Sequence, residues 1–386
     1  MTRTCAMTAC AALLAASTAV AQETELEHTG TFPESFGLLQ TVRPLPDGRV
    51  VVADPLGGVL AALDVARGTL DPIGREGGGP GEWRQPDAVY PLPGGSTLLV
   101  DLGNARLTVL DAAGAAVETH PMALSTGAGP VGLEIITPRG TDALGRVYFE
   151  ARPRPGARGP DADSSRVKRW VPGTGSTETV AGLRPPAVRT TTSGGANDQR
   201  VSIRPIPLAP ADDWAVAPDG RVAVVRAEPY RVEWIAPDGG VTRGPPVEHE
   251  PVPVGTAEKE RWIDRLAEAG LSVGVTEENG VRTLQFRRGG GPRGPADLRQ
   301  YEWPETLPAF RAGGAIVDGW GRVWVERYGP VNAPTVYDIF DRRGVRVRRV
   351  RLPAGQRVIG FGEDAIYAIR VDDLGLNWLE LYRLPN

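Results

Sequence analysis

Residues 73–114 read IGREGGGPGEWRQPDAVYPLPGGSTLLVDLGNARLTVLDAAG, and this stretch narrows the fold more than any bulk property. A Gly-rich loop leads into a short apolar run, Ala88 to Leu92, which turns at Pro93-Gly94-Gly95. A second run, Thr97 to Asp101, meets a third, Arg106 to Asp111, through Leu102-Gly103-Asn104. Runs of five or six β-formers closed by Gly, Pro, Asn and Asp predict a four-stranded antiparallel sheet, because those residues supply the backbone angles that tight turns need.

The unit recurs. DGRVVVAD at Gly48, GGSTLLVD at Gly95, LGRVYFEAR at Gly145, DGRVAVVRAEP at Gly220, WGRVWVERY at Gly321 and EDAIYAIRVDD at Asp364 each precede a further strand. Six such sheets predict an all-β, six-bladed β-propeller, since radial repetition hides strand edges that would otherwise pair between molecules. Gly 49 and Pro 36 among 386 residues suit short strands and many turns, and argue against a helical bundle. The sixth unit stops at its third strand, NWLELYRL, before Leu384-Pro385-Asn386. The lone strand Glu23 to Phe32, ETELEHTGTF, is expected to supply the fourth and so tie the two ends of the chain together.

GREGGGPGEWRQPDAVYPLPGGSTLLVDLGNARLTVLDAAG resembles an NHL-type repeat and, more closely, the exported bacterial six-bladed β-propellers. The likeness is strongest in Ile73 to Gly114 and Pro304 to Val325 and weakest in the third and sixth units. It implies the fold and an extracytoplasmic location, and little chemistry, because propellers host unrelated functions.

The opening MTRTCAMTACAALLAASTAVAQ has one positive charge, an apolar run and Ala19-Val20-Ala21 before Gln22. It reads as a secretory signal over residues 1–21, leaving 22–386 as the propeller and a periplasmic or secreted protein. Both cysteines, Cys5 and Cys10, fall in that leader, so the mature chain has no disulfide, zinc thiolate or cysteine nucleophile. No later stretch is apolar enough to span a membrane. Losing Arg3 makes the chain one unit more acidic than its formal −4, so no global basic field favours nucleic acid, and a monomer is expected.

Repeat spacing stretches between Gly145 and Gly220 and between Gly220 and Gly321, so extra residues must leave the blades. Residues 152–166 and 185–211 read as mobile loops. Residues 248–302 carry structure of their own. Thr256 is the expected N-cap of a helix, Glu258 and Glu260 suit its first turn, and Gly270 ends it. LSVGVTEENGVRTLQF then reads as a hairpin turning at Asn279-Gly280. This helix-hairpin insertion between blades 4 and 5 is either a cap over one face of the disc or a decoration of its rim. All three insertions fall in connections that share one face, the top, where a binding site is expected.

Six residues beyond each repeat glycine, or beyond Asp364, stand Asp54, Asp101, Ala151, Arg226, Arg327 and Arg370 at the top of the second strands. If these point to the axis, Arg226, Arg327 and Arg370 form an electropositive half-ring for an anionic or polar saccharide, peptide or protein, with Arg75 and Arg84 nearby. Pairing with Glu228, Glu326, Asp372 or Asp373 is the alternative use of those arginines. Asp101, Asn104 and Arg106 read as a hairpin brace. Asp54, facing Val59, is free to seek another partner, such as a neighbouring blade's arginine. The loop Gly74 to Arg84 lacks a P-loop ending, and Trp83 reads as a wedge between blades. His28, His120 and His249 sit on outer positions, which disfavours a three-histidine zinc site or a catalytic triad, and no catalytic residue is assigned. No cofactor is expected. The rival enzymatic reading is a calcium-dependent lactonase with an axial site drawn from Asp54, Asp101, Asn104, Asp372 and Asn377.

Overall fold

The computed structural model describes residues 23–125, 133–152, 164–193, 200–278, 281–289 and 298–384. The leader at 1–21 and most of the insertion at 152–166 lie outside the described residues.

Six antiparallel four-stranded blades follow one another, each named from its inner to its outer strand. Blade 1 is Val42–Pro44, Val50–Asp54, Val59–Asp64 and Thr69–Pro72. Blade 2 is Pro86–Pro91, Thr97–Asp101, Arg106–Leu110 and Ala116–Pro121. Blade 3 is Pro138–Thr141, Val147–Ala151, Ser165–Trp170 and Thr177–Leu183. Blade 4 is Asp213–Val216, Val222–Ala227, Tyr230–Ile235 and Val241–Arg243. Blade 5 is Ile316–Val317, Val323–Glu326, Pro334–Phe340 and Arg346–Ala354. Blade 6 is Arg357–Phe361, Ala365–Val371 and Asn377–Arg383, completed by His28–Phe36. The inner strand of blade 6 lies against that of blade 1, so the ring is shut.

The closing strand differs in its bounds from the expected 23–32. It starts at His28, runs to Phe36, and pairs from His28↔Tyr382 to Phe36↔Asn377 with a bulge between Thr31 and Ser35. Pro33 sits in that bulge, where no ladder N–H is required. Phe32 and Phe36 are both buried in the core shared by blades 6 and 1. Glu23–Glu25 form a separate strand, parallel to the outer strand of blade 5, from Glu23↔Arg349 to Glu25↔Arg351. The N-terminal segment therefore staples two blades.

Cores lie between neighbouring blades, as the alternation of the strands requires. Trp83, for example, is buried with Val51, Ala53, Leu60, Val89, Leu99 and Leu110 across the joint of blades 1 and 2. Turns among the described residues, which include no cysteine, are fixed by a recurring carboxylate brace. In Asp142-x-x-Gly145-x-x-Tyr148, Asp318-x-x-Gly321-x-x-Trp324 and Asp372-x-x-Gly375-x-x-Trp378, one oxygen accepts the amides two and four residues on. The other accepts the aromatic O–H or N–H six residues on, at 2.8, 2.9 and 2.8 Å. The glycine in each brace has φ of 77°, 76° and 79°, a region where a side chain is strained.

One of the two insertions read as mobile loops has regular structure among its described residues. Residues 185–211 contain an antiparallel hairpin, Val188–Ser193 with Arg200–Pro205. An unanticipated small hairpin, Ala123–Ser125 with Leu133–Ile135, joins blades 2 and 3. The insertion at 248–302 holds the helix Thr256–Ala269 and the hairpin Leu271–Glu278 with Val281–Arg288; the expected turn at Asn279-Gly280 lies outside the described residues. The helix N-cap is Gly255, one residue before the expected Thr256, because Glu258 reaches back to accept the Gly255 amide at 3.0 Å. Among the described residues no helix is long and apolar enough to cross a membrane.

Candidate functional site

The helix-hairpin insertion is a roof, and its attachments show why. At its start, Glu258 accepts the Val331 amide at 3.2 Å and Arg261 donates to the Gly329 carbonyl at 2.9 Å, both on blade 5. Past its end, Leu271, Leu284 and Phe286 pack into the core shared by blades 2 and 3. Arg288 then forks onto Asp87 of blade 2, Nε to Oδ1 and Nη2 to Oδ2, both at 2.7 Å. Blades 2 and 5 stand opposite each other in a ring of six, so a segment bound to both reaches across the top face. The 14-residue helix, about 21 Å long, is suited to that span.

Beneath the roof, each blade offers a polar side chain on or beside its inner strand: Gln40, Asp87, Arg139, Asp213, Arg311 and Arg357. Most are mutually satisfied. Asp87 takes Arg288 and, at 2.8 Å, Gln40. Arg139 meets Asp213 at 2.6 Å and lies over the Trp214 ring. Arg311 meets Glu326 at 2.6 Å, and Tyr337 adds a longer bond to the same carboxylate. Burial alone would raise the Glu326 carboxyl, but Arg311 outweighs it and holds it below the usual range.

Arg357 differs. Its guanidinium donates to the Leu39 carbonyl at 3.0 Å, and among the described residues it makes no ion pair with a carboxylate. Burial, then the like charge of Arg311, pushes it down to about 10. Arg265, exposed on the roof helix, adds its charge to the same group and acts on Glu326 and Tyr328 as well. Arg261 and Arg265 of the roof helix and Arg311 and Arg357 of blades 5 and 6 thus act on one another's charge, with Glu258 and Glu326 beside them. This excess of guanidinium donors in a half-buried space suits a carboxylate, sulfate or phosphate group.

The second-strand arginines have a different setting. Arg226 bonds Glu233 at 2.9 Å and Asp212 at 2.8 Å. Arg327 bonds Asp338 at 3.0 Å, and Arg370 bonds Glu380 at 2.8 Å. In all three blades the acid stands on the third strand, two register positions from the arginine. Outer strands add Arg243 to Glu233, Arg349 to Asp338, and Thr31 with His28 to Glu380. Blades 1 to 3, with Asp54, Asp101 and Ala151 in place of the arginine, carry Ala61, Thr108 and Lys168 in place of the acid. The partners are not the acids adjacent in sequence: Glu228 holds Arg184, Glu326 holds Arg311, and Asp372 braces its own turn.

Among the described residues Asp54 has no arginine partner. Its carboxylate accepts four backbone amides, Gly37 at 2.6 Å, Leu38 at 2.9 Å, Leu56 at 3.0 Å and Gly57 at 2.8 Å, which fastens the lead-in to blade 1 onto a hairpin tip. Arg75 is exposed and paired with Glu82 at 2.8 Å, and Arg84 is exposed beside Gly78. The Gly-rich loop is closed on itself: a Cβ at Gly77 would run into the Glu82 side chain. Asn104 and Arg106 hold that loop through the Gly77, Gly79 and Glu82 carbonyls. The histidines stay apart, His28 on Glu380, His120 against Trp170 and His249 against Tyr230.

The five oxygen donors named for calcium do not fit a metal. Asp54 and Asn377 both grip residues 37–39 of the backbone, Asp101 and Asn104 bond each other, and Asp372 is filled by its brace. Among the described residues no three or more His, Cys, Asp or Glu side chains group closely enough to hold an ion.

No family model and no curated protein matches the sequence. Solved structures resemble the chain in outline. One is a member of the DUF4221 family from Bacteroides vulgatus, at TM-score 0.49 and 8% identity, covering 95% of this chain and 98% of that one. A calcium-binding protein, regucalcin, from Agrobacterium tumefaciens gives 0.39 and 13%, covering 94% and 98%. A gluconolactonase from Xanthomonas campestris gives 0.41 and 12%, covering 94% and 96%. Likenesses this distant bear on neither ligand nor activity.

Sequence reasoning missed the inner-strand charges. The signal was present: Asp87, Arg139, Asp213 and Arg357 each stand at or next to the first residue of a run of β-formers that opens a blade.

Proposed function

We propose that this is an exported binding propeller, its export resting on the Ala19-Val20-Ala21 signal. It takes the anionic group of a saccharide or peptide into the axial chamber under the roof helix. The observation that carries the reading is Arg357, an axial guanidinium flanked by Arg311 and Arg265 and without a carboxylate partner among the described residues. An incoming carboxylate or sulfate would supply the missing counter-charge and accept donors already in place. The arginines at 226, 327 and 370 support it indirectly, by fixing the blades that carry the chamber wall.

The test is calorimetric titration with sulfate, phosphate and a uronate. At least one should bind, and Arg265→Ala or Arg357→Gln should weaken it by about tenfold or more, the size of one lost charge-assisted hydrogen bond. Arg265→Ala should leave the melting temperature unchanged. Unchanged affinity in both variants, or no uptake of any of the three anions, would overturn the proposal.

A further inference from the structure

We propose that the anion site is built for a sugar acid, with Tyr328 and the second oxygen of Glu326 recognising a hydroxyl group beside the ligand's carboxylate. The inference rests on the axial-anion reading and narrows it from saccharide or peptide to a hydroxylated acid.

Tyr328 follows the second strand of blade 5. Glu326 faces Tyr337 in the ladder, and the Arg327 amide still donates to the Val336 carbonyl at 2.8 Å, so the extended backbone runs on past the strand. Residues two apart on such a backbone point the same way. Tyr328 therefore shares the side of Glu326, opposite to Arg327, whose guanidinium turns to Asp338. The next residue, Gly329, takes Arg261 of the roof helix on its carbonyl. Tyr328 thus stands between the Glu326–Arg311 pair and the roof helix, and it feels the charges of Arg311, Arg265, Glu326 and Arg261.

Two polar atoms here have no use inside the fold. Among the described residues the half-buried Tyr328 makes no hydrogen bond through its hydroxyl. Burial pushes that hydroxyl up, so it keeps its proton at neutral pH and can both donate and accept. Both bonds to Glu326, from Arg311 at 2.6 Å and Tyr337 at 3.4 Å, fall on Oε2. Oε1 accepts none among the described residues, although Glu326 is buried and Arg311 keeps it ionised. A buried charged oxygen without a donor is costly, so its donor has to come from outside the fold.

The chemistry of the ligand follows. Arg265 makes no bond among the described residues and Arg357 only the one to Leu39, which leaves guanidinium donors for an anion. A plain carboxylate would satisfy them but meet Glu326 as a like charge. A hydroxyl on a neighbouring carbon resolves this, because its O–H donates to Oε1 while its oxygen accepts from Tyr328. Sugar acids carry that pair of groups. The amide N–H near a peptide carboxylate could donate but not accept.

Calorimetric titration compares methyl glucuronide with tetrahydropyran-2-carboxylate, which keeps the ring and the carboxylate but lacks the hydroxyls. Wild type should prefer the glucuronide by about tenfold or more, the size of one charge-assisted hydrogen bond. Tyr328→Phe removes an oxygen that bonds nothing else among the described residues. Its melting temperature should not move, while the preference should fall by about fivefold. Arg357→Gln should weaken both acids alike and leave the preference intact. Equal affinity of wild type for the two acids, or an unchanged preference in Tyr328→Phe, overturns the sugar-acid inference and leaves the axial-anion reading standing. If neither acid, sulfate nor phosphate is bound by wild type, both fall together.

Discussion

Replacing Asp54 distinguishes a ligand-facing acid from a structural one. The carboxylate accepts four amides, Gly37 and Leu38 on the lead-in to blade 1 and Leu56 and Gly57 on a hairpin tip. Asp54→Ala strips all four donors of their acceptor at a residue that is 1% exposed. Bonds to a charged group contribute about 1.5–3 kcal/mol each, but Leu56 is exposed and donors at the tip can rehydrate, so a loss near 3–4 kcal/mol is expected. In a chain of this size each kcal/mol moves the melting temperature by roughly 2 °C, which gives a fall of about 6–8 °C. Asp54→Asn should lose a large part of the same amount, since its NH2 would face an amide N–H. Urea unfolding followed by tryptophan fluorescence, with uronate titration of the folded variant, measures both properties. A loss below about 1 kcal/mol, or lost uronate binding at unchanged stability, would refute the assignment.

Two further expectations concern closure. Burial would raise the Glu380 carboxyl, but bonds from Thr31, Arg370 and His28 outweigh it and hold it below the usual range. A depressed carboxyl stabilises the fold above its unfolded value, about 4.3, and the gain is lost as pH falls through the folded value. The stability gap between wild type and Glu380→Gln should therefore be full at neutral pH and shrink below about pH 4; a gap that persists there contradicts the account. Removing residues 22–27 deletes the parallel strand and buried Leu26, and should cost about 2–3 kcal/mol while leaving one cooperative transition by calorimetry. Removing residues 22–36 should abolish that transition, and a sharp melt in the longer deletion would show that the sixth blade closes without its fourth strand.

What the sequence disclosed was local. Gly145, Gly220 and Gly321 announce turns because their backbone angles admit little else, and the strands between them follow from alternation. The closing strand was legible because the sixth unit lacked one, although the bulge between Thr31 and Ser35 breaks the alternation that would mark its bounds. The cap's elements were legible too, but its course was not. That course is set by Arg288 meeting Asp87 across 201 positions of chain, and no periodicity encodes such a meeting. The second-strand arginines show the same limit more finely. Their equivalence could be counted from the glycines, whereas their acids sit one strand away at Glu233, Asp338 and Glu380, at separations that vary with each hairpin loop. Arg357 escaped notice because one charge before a β run looks like any strand start until the ring shows what surrounds it.

The clasp between His28 and Glu380 joins positions 352 apart, nearly the whole length of the polypeptide. A contact that remote forms late, since the entropy of bringing its ends together must be lost before any bond repays it. Until then Asn377–Arg383 presents a bare ladder to other molecules. In a chain threaded N-terminus first, the earliest segment to emerge stays idle until the final one arrives, so the interval of greatest aggregation risk is the wait between them.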